Sequence, residues 1–164
     1  MKVIIDTNVA LVANKNADQA SPTCVLSCVS RLREIQLQHV VVIDDGWHIL
    51  REYQNKLRSE GQPGVGDAFL LWLLTNRARP ERCEQVTITP VEADSTFAQF
   101  PKDPALQHFD PSDRKFVAVA LAHPDHPPIL NAVDSDWWHY QATLAGHGVR
   151  IEFLCPDAEP KQKR

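Results

Sequence analysis

The chain has 164 residues, enough for one domain with a sizeable core and too few for two ordinary ones. It is 43% hydrophobic and 23% charged, the balance of an ordinary globular domain, and no run of about 18 apolar residues predicts a membrane span. Its 17 basic and 21 acidic residues leave a net charge of -4, which argues against a protein that grips nucleic acid passively through a basic face.

Residues 2–5 (KVII) predict a short strand that ends at Asp6, and residues 7–14 predict a helix with Asp6 or Thr7 near its cap. Ser21-Pro22 starts a helix to about Gln36, with Ser as cap and Pro in the first turn. His39 to Ile43 (HVVVI) reads as a buried strand, followed by a helix capped by Asp44 or Asp45, running to about Ser59 and ended by Gly61. Gly64-Val65-Gly66 leads to a helix over about Asp67 to Arg77. Gln85 to Thr89 predicts a third strand, and a polar connection with a short helical piece covers about 91 to 108. Asp110-Pro111-Ser112-Asp113 opens a helix to about His123, and Ile129 to Val133 is a strand. Ser135 to Ala145 is helical, and Val149 to Leu154 is the last strand. Strands that are continuous apolar runs, alternating with helices, predict an α/β fold: a three-layer α/β/α sandwich around a mainly parallel sheet. It spans residues 1–155, and 156–164 form a polar tail.

The cysteines are Cys24, Cys28, Cys83 and Cys155. No second ligand pair with zinc spacing follows Cys24 and Cys28, so the expectation is buried free thiols. The N-terminal apolar run ends at Asp6 without a signal-peptide pattern, which predicts a cytoplasmic protein. His123 and His126 close a helix, where a cation complements the dipole, so they are read as structural.

The carboxylates are more informative. Asp6 and Asp134 each follow an apolar strand run. In an open parallel sheet, ligands bind beyond the carboxyl ends of the strands where the topology reverses, so the two would meet if their strands are neighbours. At about 100° per residue, Glu52 falls off the apolar stripe of Leu50, Tyr53 and Leu57, facing a cleft or solvent. Asp113 leads the apolar face of its own helix, along Phe116, Val117 and Ala120. A carboxylate on a buried line is costly unless helix amides or a cation compensate it. Asp136 is either a further ligand or a helix cap.

Four segments together resemble the PIN-domain nuclease family. VIIDTNVAL resembles its opening strand, HILREYQNKL its helix with a single acid, DRKFVAVALAH its Asp followed by an Ala-rich helix, and ILNAVDSDWW its last strand followed by Asp-x-Asp and an aromatic residue. They stand in the family order across about residues 1 to 155. The resemblance implies a catalytic, metal-binding quartet of Asp6, Glu52, Asp113 and Asp134, with Asp136 as a fifth ligand. It gives Asn8 a supporting role, steadying a carboxylate or water. One departure is Ala132, where many members carry Thr or Ser; Asn131 offers a polar group from the preceding position, though on a strand it would face the other way.

Oxygen-only ligands favour Mg²⁺ or Mn²⁺. Such an ion would polarise a phosphoryl oxygen and lower the pKa of an attacking water. Arg51, Arg114 and Lys115 adjoin the acids in sequence and are candidate contacts to RNA phosphates. The resemblance implies a metal-dependent endoribonuclease acting on single-stranded RNA, and a toxin role as a homodimer with a small antitoxin protein. The alternative is a non-catalytic PIN-fold module that binds RNA or protein. A phosphotransfer receiver, suggested by Asp44-Asp45, lacks its phosphoacceptor Asp and its Lys at Thr87 to Thr89 and Leu154 to Pro156.

Overall fold

The computed structural model describes residues 1–58, 64–93 and 95–161. Strand β1 (Lys2–Ile5) is followed by α1 (Thr7–Ala13), α2 (Pro22–Gln38) and β2 (Val40–Asp44). Then come α3 (His48–Lys56), α4 (Val65–Asn76), β3 (Cys83–Val86), and a two-stranded antiparallel hairpin of β4 (Pro90–Val91) and β5 (Thr96–Phe97). Helix α5 (Arg114–Ala122), strand β6 (Ile129–Asn131), helices α6 (Ser135–His139) and α7 (Gln141–Gly146) and strand β7 (Ile151–Phe153) complete the described fold.

The main sheet has the order β3-β2-β1-β6-β7, and every pairing in it is parallel. Helices cover both of its faces, giving the expected three-layer α/β/α architecture. Val3, Ile4 and Ile5 of β1 and Val41, Val42 and Ile43 of β2 have no exposed surface, as continuous apolar strands covered on both sides require. The edge strands β3 and β7 carry Glu84, Gln85 and Glu152 and are less buried. Helices α1, α2 and α4 pack on one another, while α5 lies against β1, β2, β6 and α3. The approach of α4 to α1 requires Gly66: a Cβ there would stand 2.1 Å from the Ala10 carbonyl oxygen.

Several boundaries shift. The 91–108 connection contains the β4-β5 hairpin, whose two-residue strands are too short to show a period, and a 3-10 turn at Pro104–Leu106. The third strand begins at Cys83 because its register is set by pairing with β2 rather than by its own alternation. The stretch 135–145 divides at Tyr140 into α6 and α7. The predicted helix end at Ser59 and Gly61 lies outside the described residues, as do the last residues of the tail.

The cysteine expectation is corrected in half. Cys24 and Cys155 form a disulfide joining α2 to the segment after β7, 131 residues apart in sequence. Cys28 and Cys83 are buried free thiols. The sequence gap hid the pair, because only the return of β7 to the sheet beside β6 brings Cys155 against α2.

Candidate metal centre

The order 3-2-1-6-7 makes the chain leave β1 to one side first and return on its other side later. The reversal therefore lies between β1 and β6, whose ends are paired at Ile5 and Leu130. Asp6 and Asp134 follow these strands. The Asp6 amide donates to the Leu130 carbonyl at 3.1 Å, and each carboxylate caps the next helix: Asp6 accepts from the Asn8 amide at 2.9 Å, Asp134 from the Asp136 amide at 3.0 Å. Capping leaves the remaining carboxylate oxygens facing the crevice or a second partner. For Asp6 that partner is the Trp137 indole, whose Nε1–H donates to Oδ2 at 2.7 Å.

Asp113 arrives from another element. Asp110 caps a 3-10 turn at Pro111–Asp113 by accepting from the Ser112 amide and hydroxyl, both at 2.9 Å, and α5 starts immediately afterwards. Asp113 is 7% exposed, and its Oδ2 is buried with no hydrogen-bond partner among the described residues. Oxygens of Asp6, Asp113 and Asp134 lie within 4.8 Å of one another. A second group, Asp110, Asp113 and Asp136, shares Asp113 with the first. Two oxygens sharing one octahedral ion at about 2.1 Å are at most about 4.2 Å apart, so a small inward movement suffices for a hard cation.

The electrostatics show what this crowding costs. Burial, followed by the charges of Asp6 and Asp134, pushes the Asp113 carboxyl up to about 9. Burial also raises Asp6, to about 6, against the lowering effect of the hydrogen bonds from Asn8 and Trp137. Asp136 is raised by burial and then by Asp134 and Asp110. An unpaired buried carboxylate oxygen, an all-oxygen donor set and mutual repulsion fit a divalent ion such as Mg²⁺ or Mn²⁺.

Glu52 stands apart from both three-acid groups. It faces inward, as one of its two sequence readings had it, but each of its oxygens already has a partner. Oε1 accepts from the Lys115 ammonium at 2.9 Å, and Oε2 accepts from the Thr7 hydroxyl. Lys115 is 9% exposed, and its ammonium also donates to the Ser112 carbonyl, so this side chain is turned into the site rather than toward an RNA phosphate. Arg114 is committed to the carbonyls of Gln107 and Phe109 and lies over the Phe100 ring. Arg51 is exposed and donates to the Gly46 carbonyl at 2.8 Å.

Asn8 supports the site twice: its backbone amide steadies the Asp6 carboxylate, as expected, and its side chain holds the backbone before Asp134. Its Oδ1 accepts from the amides of Ala132 and Val133 at 2.9 and 3.0 Å, and its Nδ2 donates to Asn131 Oδ1 at 2.9 Å. Asn131 in turn accepts from the Asp134 amide and donates to the Asp134 carbonyl. Asn131 is the last paired residue of β6, and its side chain is spent on these contacts rather than on a carboxylate. The two asparagines fix the bend that delivers Asp134, with Ala132 fully buried beneath it. Sequence reasoning missed Asp110 as a site acid, Thr7 as a partner of Glu52 and Trp137 as a donor. The DPSD spacing and the aromatic three residues past Asp134 carried the only signals.

A groove of about 830 Å³ reaches the start of α5 through Pro111 and Arg114, and is lined further by Phe97, Phe100 and Lys102. Compared with protein-family models, curated proteins and solved structures, the chain matches none of them. No helix among the described residues is long and apolar enough to cross a membrane.

Proposed function

We propose that this chain is a divalent-metal-dependent endoribonuclease of the PIN type, hydrolysing phosphodiester bonds of single-stranded RNA. The observation that carries the reading is Asp113 Oδ2, buried without a partner in a group with Asp6 and Asp134. A structural carboxylate in that position would be expected to have a donor; here burial and the charges of Asp6 and Asp134 hold the carboxyl protonated at neutral pH, a penalty that a bound cation would remove. Asp6, Asp113 and Asp134 would hold one Mg²⁺ or Mn²⁺, which supplies Lewis acidity and an activated water when bound.

The protein's own groups position that chemistry. Trp137 and the Asn8 amide fix the Asp6 carboxylate, and the Asn8–Asn131 pair fixes the backbone before Asp134. The groove beside Pro111 and Arg114 adjoins the start of α5 and would seat an extended RNA strand, with Lys102 as a cation along it beside the acidic Glu92 and Asp103. Cleavage of mixed single-stranded RNAs should require Mg²⁺ or Mn²⁺, stop in EDTA and be lost in Asp113→Asn. Equal cleavage by the variant and the wild type would sink the reading.

The engagement of Glu52 by Lys115 favours a second reading, a non-catalytic module on the same fold. Calorimetric titration of Mn²⁺ into wild type and Asp6→Asn separates the two: unchanged affinity in the variant supports the module. A toxin role, with a small antitoxin protein and a homodimer, goes with the nuclease reading and is tested by growth arrest on expression. A cytoplasmic setting goes with it too; there the Cys24–Cys155 bond would be exposed to thiol reductants.

A further inference from the structure

Lys115 is an uncommon residue to find inside a cluster built for cations. It stands two positions past Asp113 on α5, its side chain is 11% exposed, and its ammonium contacts Glu52 Oε1 and the Ser112 carbonyl oxygen. Glu52 Oε2 is held by the hydroxyl of Thr7, the residue next to Asp6. One wall of the site therefore already has a cation, a carboxylate, a carbonyl and a hydroxyl assembled around each other. That oxygen set is the kind a hard divalent ion would take.

We infer that the Lys115 ammonium is a built-in substitute for a second divalent ion: it occupies the position between Glu52 Oε1 and the Ser112 carbonyl oxygen, and so restricts the centre to one metal ion. The inference rests on the metal-centre reading above. Three features support it. Glu52 Oε1 already faces the positive charge of the Lys115 ammonium, which repels a divalent ion from that oxygen, and Oε2 is held by Thr7. Withdrawal of the ammonium is opposed, because it would leave the mostly buried Glu52 carboxylate without its counter-charge. The ammonium's position is fixed by the first turn of α5, directly after the 3-10 turn that ends in Asp113, so the two cation sites would keep a constant relation. Lys115 is thus a positioning residue: it neutralises Glu52 and leaves Asp6, Asp113 and Asp134 to the exchangeable ion.

The test is the stoichiometry of Mn²⁺ binding to the full chain, by calorimetry and by electron paramagnetic resonance, at one fixed pH. Wild type is expected to bind one Mn²⁺ per chain. Lys115→Met, which keeps the length of the stem and removes the charge, is expected to bind two. The double variant Glu52→Gln/Lys115→Met is expected to return to one, because the second position then lacks its carboxylate. Thermal unfolding checks that each variant is folded, and Lys115→Gln replaces Lys115→Met should the latter fail to fold. Two ions in wild type, or one ion in a folded Lys115→Met protein, overturns the inference while leaving the metal centre standing. No Mn²⁺ binding in wild type overturns both.

Discussion

Replacing Asp113 by Asn should make the metal-free protein more stable while abolishing metal-dependent function. The folded-state carboxyl sits at about 9 against an ordinary value of 3.8, so at pH 7 the folded protein retains a proton that the unfolded chain releases. Holding that proton costs about 4 kcal/mol at pH 7 on the usual equivalence of pKa and free energy. An asparagine has nearly the same shape and no proton to hold, but its amide is buried with incomplete hydrogen bonding, which costs about 2 kcal/mol. The net gain is about 2 kcal/mol, or about 4–8 °C in melting temperature for a domain of this size. The sign follows from the raised value: the folded state binds more protons between the unfolded and folded pKa, so stability falls as pH rises through that window. At pH 5 the proton costs only about 1–2 kcal/mol, and the variant should gain almost nothing. The assay is thermal unfolding of both proteins in EDTA at pH 5 and pH 8, repeated with Mn²⁺. Wild type in saturating Mn²⁺ should recover about 3 kcal/mol at a hundredfold excess over the dissociation constant, and the variant should recover little. A variant that melts at or below wild type in EDTA at pH 8 would refute the claim that Asp113 is a strained, ligand-seeking carboxylate.

Trp137→Phe removes the 2.7 Å bond to buried Asp6 and should cost about 1.5–3 kcal/mol, with a roughly tenfold or greater loss of Mn²⁺ affinity by calorimetry. Unchanged affinity would show that the indole does not orient the ligand. Asn8→Ala deletes three hydrogen bonds at the bend before Asp134 and should lower urea stability by about 3 kcal/mol; a loss below about 1 kcal/mol would mean the bend holds itself. Cys24→Ser opens a link across 131 residues and should cost about 2–4 kcal/mol. Dithiothreitol should then lower the melting temperature of wild type and leave the variant unchanged, and equal responses would argue against the disulfide.

The strand-end acids show how far the sequence reaches. VII before Asp6 and ILNAV before Asp134 are apolar runs long enough only for buried strands, and an acid that follows such a run must lie at the sheet's carboxyl edge. The burial of Asp113 was likewise legible from the apolar line of Phe116 and Val117, although Asp113 closes a 3-10 turn just before α5 rather than lying within that helix. Glu52 was placed off its apolar stripe by the same rule, but the rule left both a cleft and solvent open. Strand alternation gave Asn131 no contact with a site carboxylate, and its side chain instead holds Asn8 and the Asp134 backbone.

From the sequence alone came the layered α/β class, its parallel sheet and the acids that would stand at its edge, all consequences of hydrophobic period and chain punctuation. Only the tertiary structure decided which acids share a pocket, because the order 3-2-1-6-7 is what makes β1 and β6 neighbours. It also decided that Glu52 faces Lys115 across 63 residues, that Trp137 reaches Asp6 across 131, and that Cys155 pairs with Cys24. Those contacts depend on distances set by packing between elements, and local patterning along the chain encodes the faces of each element rather than the partner each face meets.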